Sequence, residues 1–321
     1  MKSDKSTLKK IKSDASFRFF YRKTNNKKNS IIVYATKEKE KNLLIYDAIN
    51  SLLIENKILA PKLYKENYKK NFIEIEDFGD DTVLKLLKKK GSNKINLYKE
   101  SINLLSKIQK IKQNKIKNFN GKNYKIPIYE DKKLFKEAKL FSDWYAKKYI
   151  SKKKLSIFNI EINKQIKFLL SNLKLKNDTL VHRDFHVSNL MKCRQELATI
   201  DTQDAVIGNR AYDLASLIDD VRFKSNKKLK DNIYNYYLKL NKKKINRVIL
   251  LNDFEILSVI RNMKIIGIFS RLALRDKKVR YLKLIPYAWR LIELRIKNNE
   301  VFYKLKILLD VNFTKKIRNL K

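Results

Sequence analysis

Apolar residues change their spacing twice along this chain. Near the N-terminus they form two short aromatic and β-branched runs, FRFFYRK from Phe17 to Lys23 and SIIVYAT from Ser30 to Thr36, separated by the polar TNNKKN. Runs of that kind around a polar turn predict a β-hairpin. In NLLIYDAINSLLIENK, Leu43, Leu44, Ile45, Ile49, Leu52 and Leu53 then recur at helical spacing, and Pro61 marks the end. NFIEIEDFGDD sets Phe72, Ile73 and Ile75 among acids before Gly79, the pattern of a strand running into a turn.

Beyond Asp81 the period becomes helical, over Thr82 to Lys89, Ile95 to Ile111, Asp131 to Tyr149 and Leu155 to Leu173. Two short apolar strands interrupt it, in TLVHRDFHVSNLMKC and ELATIDTQDAVIG, each followed by polar loop residues. Helices resume from Ala211. The pattern predicts an α+β protein with a small β-rich lobe over residues 1–80, a hinge at about 76–81, and a larger helical lobe over 81–321. There is no internal repeat and no linker rich in proline, glycine or serine.

Composition narrows the setting. With 321 residues, 44% of them hydrophobic, the chain can bury a substantial core. No apolar run approaches the ~18 residues that would span a bilayer, and the start lacks the apolar stretch of a secretory signal, so a cytoplasmic protein without a membrane partner is expected. A single cysteine, Cys193, excludes an internal disulfide and a multi-cysteine metal site. The net charge of +42 raises the question of a nucleic-acid partner. Its lysines are spread along nearly the whole chain, in KKIK, KEKEKN, LKKKG and NKKKIN, rather than gathered in one stripe. That distribution argues for a solvated surface and against a nucleic-acid face.

The chemistry concentrates in LVHRDFHVSNL. A strand ending at Val181 delivers Asp184 and, five residues on, Asn189, the spacing of a kinase catalytic loop in which the aspartate takes the proton of the acceptor hydroxyl and the asparagine holds a magnesium ion. Asp201 follows twelve residues later, at the end of the strand Leu197 to Ile200, where a second carboxylate would hold metal against the β- and γ-phosphates. Hard oxygen donors suit that task. Both histidines of the chain, His182 and His186, lie in this loop. His182 is assigned to loop support by hydrogen bonding; His186 is assigned to packing or loop ordering, with a metal or substrate role as the alternative.

HRDFHVSN followed by IDTQDAVIGNRAYDLASLIDD resembles the aminoglycoside phosphotransferase and choline kinase superfamily, with its H-[GR]-D-x-x-x-x-N loop and its Asp-led second motif. The resemblance implies a protein-kinase-like two-lobe fold, ATP and Mg2+ as cofactors, and a supporting role for Asp213 beside Tyr212. SDASFRFFYR, IEDFGDDTV and RNMKIIGIFSRLALRDKKVRYLKLIP narrow the likeness to cell-wall-recycling kinases that phosphorylate the anomeric hydroxyl of N-acetylmuramate and N-acetylglucosamine. By that likeness Ser13, Asp14, Ala15, Ser16 and Phe17 arch over the nucleotide phosphates next to Arg18. Backbone groups of Glu76, Asp77 and Phe78 then meet adenine.

One departure stands out: SIIVYAT carries no lysine where kinases place the one that pairs with the α- and β-phosphates. Arg18, Arg22 and Lys37 are candidates to replace it, with Glu38, Glu40 or Glu55 as partner. For the acceptor, Gln203 and Asp204 can bind hydroxyls, and Arg271 and Arg275 either offer guanidinium forks to a sugar carboxylate or only pack and pair on a helix surface. A kinase of the same fold acting on an aminoglycoside, choline, ethanolamine or another metabolite is the alternative, since fold does not fix the acceptor. A non-catalytic basic binding protein is the third.

Overall fold

The computed structural model describes residues 7–11, 18–24, 29–35, 42–241, 245–297 and 299–320. Ser13, Asp14, Ala15, Ser16, Phe17, Lys37, Glu38 and Glu40 lie outside these residues. In chain order the first elements are β1 (Thr7–Ile11), β2 (Arg18–Thr24), β3 (Ser30–Ala35), α1 (Asn42–Glu55), β4 (Leu63–Asn67), β5 (Phe72–Glu76), α2 (Val83–Lys88), α3 (Lys94–Ile108), β6 (Lys115–Lys117) and β7 (Asn123–Lys125). There follow α4 (Asp131–Ala138), α5 (Lys147–Tyr149), α6 (Lys152–Ser171), β8 (Asn177–Val181), β9 (Leu190–Cys193), β10 (Glu196–Thr199) and β11 (Val206–Asn209). The remainder is helical: α7 (Ala211–Ile218), α8 (Lys227–Asn241), α9 (Arg247–Leu274), α10 (Ile285–Ile296), α11 (Tyr303–Asn312) and α12 (Lys315–Arg318). They group into two compact units, Met1–Pro127 with His182–Ile207, and Ile128–Val181 with Gly208–Lys321.

In the first unit five strands form a sheet in the order β1-β2-β3-β5-β4. All four pairings are antiparallel. The expected hairpin is β2–β3, with Phe20 opposite Val33. Val33, Ala35, Ile73 and Ile75 pack with Leu43 and Tyr46 of α1 into one buried cluster. The two edge strands were not predicted. β1 is TLKKI and β4 is LYKEN, largely exposed and charged. Charges on an edge discourage pairing with other chains, and they also erase the apolar alternation by which a strand is read.

The second unit is built on α9, a 28-residue helix buried along most of its length. Gly267 is required there: a Cβ at that position would fall 2.3 Å from the Leu140 carbonyl carbon. The helix predicted from Asp131 to Tyr149 is interrupted by a π-helical stretch, Phe141–Ala146, directly after that contact. Among the described residues no helix is long and apolar enough to cross a membrane.

Candidate active site

The eleven residues between Asn189 and Asp201 fold back on themselves. β9 and β10 are antiparallel, with Leu190 opposite Thr199 and Cys193 opposite Glu196, and Arg194 takes a left-handed φ of 53° in the turn. The residues just outside the hairpin therefore meet: Ile200 N–H donates to the Asn189 carbonyl at 3.0 Å. Asp201 then leaves with φ 63°, a conformation that costs a non-glycine residue and recurs at functional sites.

Asn189 is fixed by its own loop. Its side-chain Nδ2 donates to the Asp184 carbonyl at 3.1 Å, and its backbone N–H donates to the His186 carbonyl at 2.9 Å. The amide nitrogen is thus engaged with backbone, and a hard oxygen remains at the other end of the amide. Asp184 is half-buried at the head of this turn, and His186 N–H donates to its carbonyl at 2.9 Å. His182 is buried, with Nε2 3.1 Å from the Ile200 carbonyl and 2.9 Å from Thr199 Oγ1. The imidazole thereby joins the catalytic-loop segment to the strand end that carries Asp201. Leu84 N–H donates to the Val187 carbonyl, and Lys192 N–H to that of Asp81, so the segment around residues 81–84 holds the loop from the other side.

Asp201 is the electrostatic centre of the cluster. Arg18 Nη2 donates to its Oδ1 at 3.0 Å, and Gln203 Nε2 donates to the same oxygen at 3.1 Å. Its side chain keeps 38% of its exposure, whereas Arg18 keeps 6%. Burial pushes the Asp201 carboxyl above its ordinary range; the Arg18 charge opposes this and the charge of Asp184 adds to it. The Arg18 guanidinium lies 5.8 Å from the centre of the Phe20 ring and 5.9 Å from that of Tyr46.

Three residues of this site escaped the sequence reading. The Tyr46 hydroxyl hydrogen-bonds the Asn50 side chain and the Asp201 backbone, and burial followed by the Asp201 charge pushes it up to about 12. Thr202 Oγ1 donates to Asn50 Oδ1 at 2.6 Å, and Asn50 Nδ2 donates to the Pro61 carbonyl at 3.1 Å. The signal was Tyr46 and Asn50 standing one helical turn apart on the otherwise apolar face of α1. Arg22 goes elsewhere. Its Nε and Nη2 fork Asp77 at 2.6 and 3.0 Å, and Nη1 meets both Asp80 oxygens at 3.0 and 2.9 Å. It therefore shapes the turn after Glu76, where Gly79 N–H also donates to Asp77 Oδ1.

With this geometry in view, the profile of the phosphotransferase enzyme family matches residues 7–245. The chain belongs to that family. By family it is a small-molecule kinase, with the protein-kinase-like α+β fold. An N-acetylmuramate/N-acetylglucosamine kinase of Pseudomonas putida is 26% identical over 286 residues, 87% of this chain and 80% of that one. Among solved structures, an ethanolamine kinase of Plasmodium vivax superposes with a TM-score of 0.62 at 14% identity, over 92% of this chain and 83% of its own. An amicoumacin kinase in complex with AMP-PNP, Ca2+ and Ami gives 0.62 at 14% identity, over 89% and 88%.

The remaining expected residues of this phosphotransferase divide between the units. Gln203 is buried and bridges Asp201 to Asp204, donating to Asp204 Oδ2 at 3.0 Å. Arg183, itself at φ 72°, donates to Asp204 Oδ1 at 3.2 Å. Tyr212, Asp213, Arg271 and Arg275 belong to the second unit. Tyr212 meets Tyr129 edge-on at 5.1 Å between ring centres, and Asp213 is fully buried in α7. Arg275 pairs with its neighbour Asp276 at 2.7 Å, and the half-buried Arg271 has its pKa lowered by burial and by Arg275.

Proposed function

We propose that this kinase transfers the γ-phosphate of ATP to the anomeric hydroxyl of an N-acetylated amino sugar, N-acetylmuramate or N-acetylglucosamine, in cytoplasmic recycling of peptidoglycan. The likeness to the Pseudomonas putida kinase, which runs through 87% of the chain, carries the reading. Residues 1–80 would hold the nucleotide, with Glu76, Asp77 and Phe78 toward adenine. Residues 81–321 would carry the acceptor.

Asp184 acts as general base. As the new bond forms between the acceptor oxygen and the γ-phosphorus, the bond from that phosphorus to the β–γ bridging oxygen breaks, ADP departs, and the hydroxyl proton passes to the Asp184 carboxylate. The Asp201 carboxylate and the amide oxygen of Asn189 are hard donors suited to Mg2+, whose remaining positions phosphate oxygens and water would fill. When bound, such an ion neutralises charge on the β- and γ-phosphates. His182 and His186 keep the loop in shape, as do Tyr212 and Asp213. Gln203, Asp204, Arg271 and Arg275 are assigned to the sugar.

Phosphorus NMR of the product tests this. N-acetylmuramate or N-acetylglucosamine with ATP and magnesium should yield an α-1-phosphate, and the methyl glycoside should bind without reacting. A 6-phosphate, or turnover of the methyl glycoside, overturns the anomeric assignment. Turnover of choline, ethanolamine or an aminoglycoside in place of both sugars overturns the acceptor class.

A further inference from the structure

The sheet of the first unit must supply positive charge for a nucleotide's phosphates, yet β3 is SIIVYA and carries no cation. Of the cations on β2, Arg22 is committed to Asp77 and Asp80. Arg18 is the one directed at the catalytic cluster. It reaches Asp201 Oδ1 through Nη2, while the rings of Phe20 and Tyr46 restrict how far its guanidinium can travel.

That contact cannot survive loading of the site unchanged. A divalent cation on the Asp201 carboxylate would stand within a few ångströms of the guanidinium, and like charges that close repel. The phosphates that arrive with the metal offer the guanidinium new acceptors, which it can bind through a planar fork.

Resting on the cation-binding reading of Asp201 given above, we propose that Arg18 is an exchange residue. Its guanidinium holds Asp201 in the nucleotide-free protein and is handed to the nucleotide's phosphate oxygens when the metal takes the carboxylate. Arg18 is thus a positioning residue for the metal and a binding residue for the phosphates. It takes over the task of the missing strand lysine and also keeps Asp201 from collecting metal without nucleotide. A merely structural arginine has no such pair of effects.

The exchange predicts opposite signs for one substitution. Arg18→Met keeps much of the length between the two rings and removes the charge. In nucleotide-free protein, Mn2+ affinity measured by electron paramagnetic resonance should rise about tenfold, while affinity for a fluorescent ADP analogue with Mg2+ should fall about tenfold, the size of one charge-assisted hydrogen bond. Unchanged or weaker Mn2+ binding overturns the exchange, as does unchanged nucleotide binding. Asp201→Asn separates this inference from the reading beneath it. If Mn2+ affinity survives in Asp201→Asn, the cation assignment falls and the exchange falls with it; if it is lost there but Arg18→Met shows no gain, only the exchange falls. The unmodified protein gives a readout that does not depend on how Arg18→Met folds. Its Arg18 Nε–H resonance, assigned with Arg18→Lys, should shift on adding Mg2+ and AMP-PNP, and a resonance that stays in place overturns the proposal.

Discussion

Two aspartates, one in each unit, carry their charge in opposite ways. Asp219 is fully buried and surrounded: Lys230 Nζ lies 2.9 Å away, Arg295 forks it at 2.8 and 3.0 Å, and Ser258 Oγ donates at 2.6 Å. Burial alone would raise its carboxyl, but the charges of Lys230 and Arg295, with the hydrogen bonds from Arg295 and Ser258, outweigh burial and hold it far below the ordinary range. Asp201 has one guanidinium and one amide on a single oxygen, a left-handed backbone, and a carboxyl held above its ordinary range. The first carboxylate is satisfied by the protein. On the proposed reading the second is left for a ligand to satisfy, which would separate a residue that supports the fold from one that serves a reaction.

The sharpest way to break this contrast is to neutralise each in turn. If Asp201 holds the metal as proposed, Asp201→Asn should cost about 10³-fold or more in turnover at saturating magnesium, because such a ligand supplies several kcal/mol of charge stabilisation at the transferred phosphoryl group. The same change should leave thermal stability equal or slightly higher, since it removes a carboxylate whose charge the fold disfavours. A Tm lowered by many degrees would place Asp201 with Asp219 as a structural group.

Asp219→Asn should do the reverse. Removing one partner of a buried ion cluster leaves Lys230 and Arg295 uncompensated and costs about 3–5 kcal/mol of stability. Because the folded pKa lies far below the unfolded one, the Asp219 contribution is present above the ordinary carboxylate range and is lost only as pH falls beneath that range through the folded pKa. Urea unfolding at pH 7 and pH 4 should therefore show nearly the same deficit of the variant against the parent, because the folded carboxyl is still ionised at pH 4. Turnover per folded molecule should stay within about threefold, as expected of a group outside the residues assigned to the reaction.

Their immediate neighbours do not distinguish the two; only the spacing from Asn189 singles out Asp201. Asp201 follows an isoleucine in TIDTQ, and Asp219 follows one in LIDDV. What could be read was local: HRDFHVSN forms a turn closed by its own backbone, and the spacing from Asn189 to Asp201 is a hairpin length. The β2–β3 hairpin, α1 and β5 were legible because each buries one face. β1 and β4 were not, since charged edge strands lose their alternation. Contacts across long separations were equally hidden. Arg18 meets Asp201 over 183 residues, Thr202 meets Asn50 over 152, and no periodicity records either. The ranking of Arg18 over Arg22 needed the register of β2 against the turn at Asp77, which only the folded chain supplies.

Asp47 extends the comparison to a third case and to the smallest effect. It is buried on α1, among the described residues no ion pair reaches it, and burial pushes its carboxyl up to about 6 against one opposing hydrogen bond from the Phe119 backbone. The folded pKa thus lies above the unfolded value of about 3.9. The folded state binds the proton more tightly, so stability from this group is fullest below about pH 4, declines as pH rises toward about 6, and stays low above it. Asp47→Asn has the same shape, is neutral at every pH and can still accept from Phe119. It should be more stable than the parent by about 1–2 kcal/mol at pH 8, below the ceiling of about 3 kcal/mol set by 1.36 kcal/mol per pKa unit, and should differ little from it at pH 4. Urea midpoints at the two pH values measure this directly. Parallel profiles would mean that Asp47 is solvated in the folded protein, and the series of two cations, one and none around Asp219, Asp201 and Asp47 would then lose its lower end.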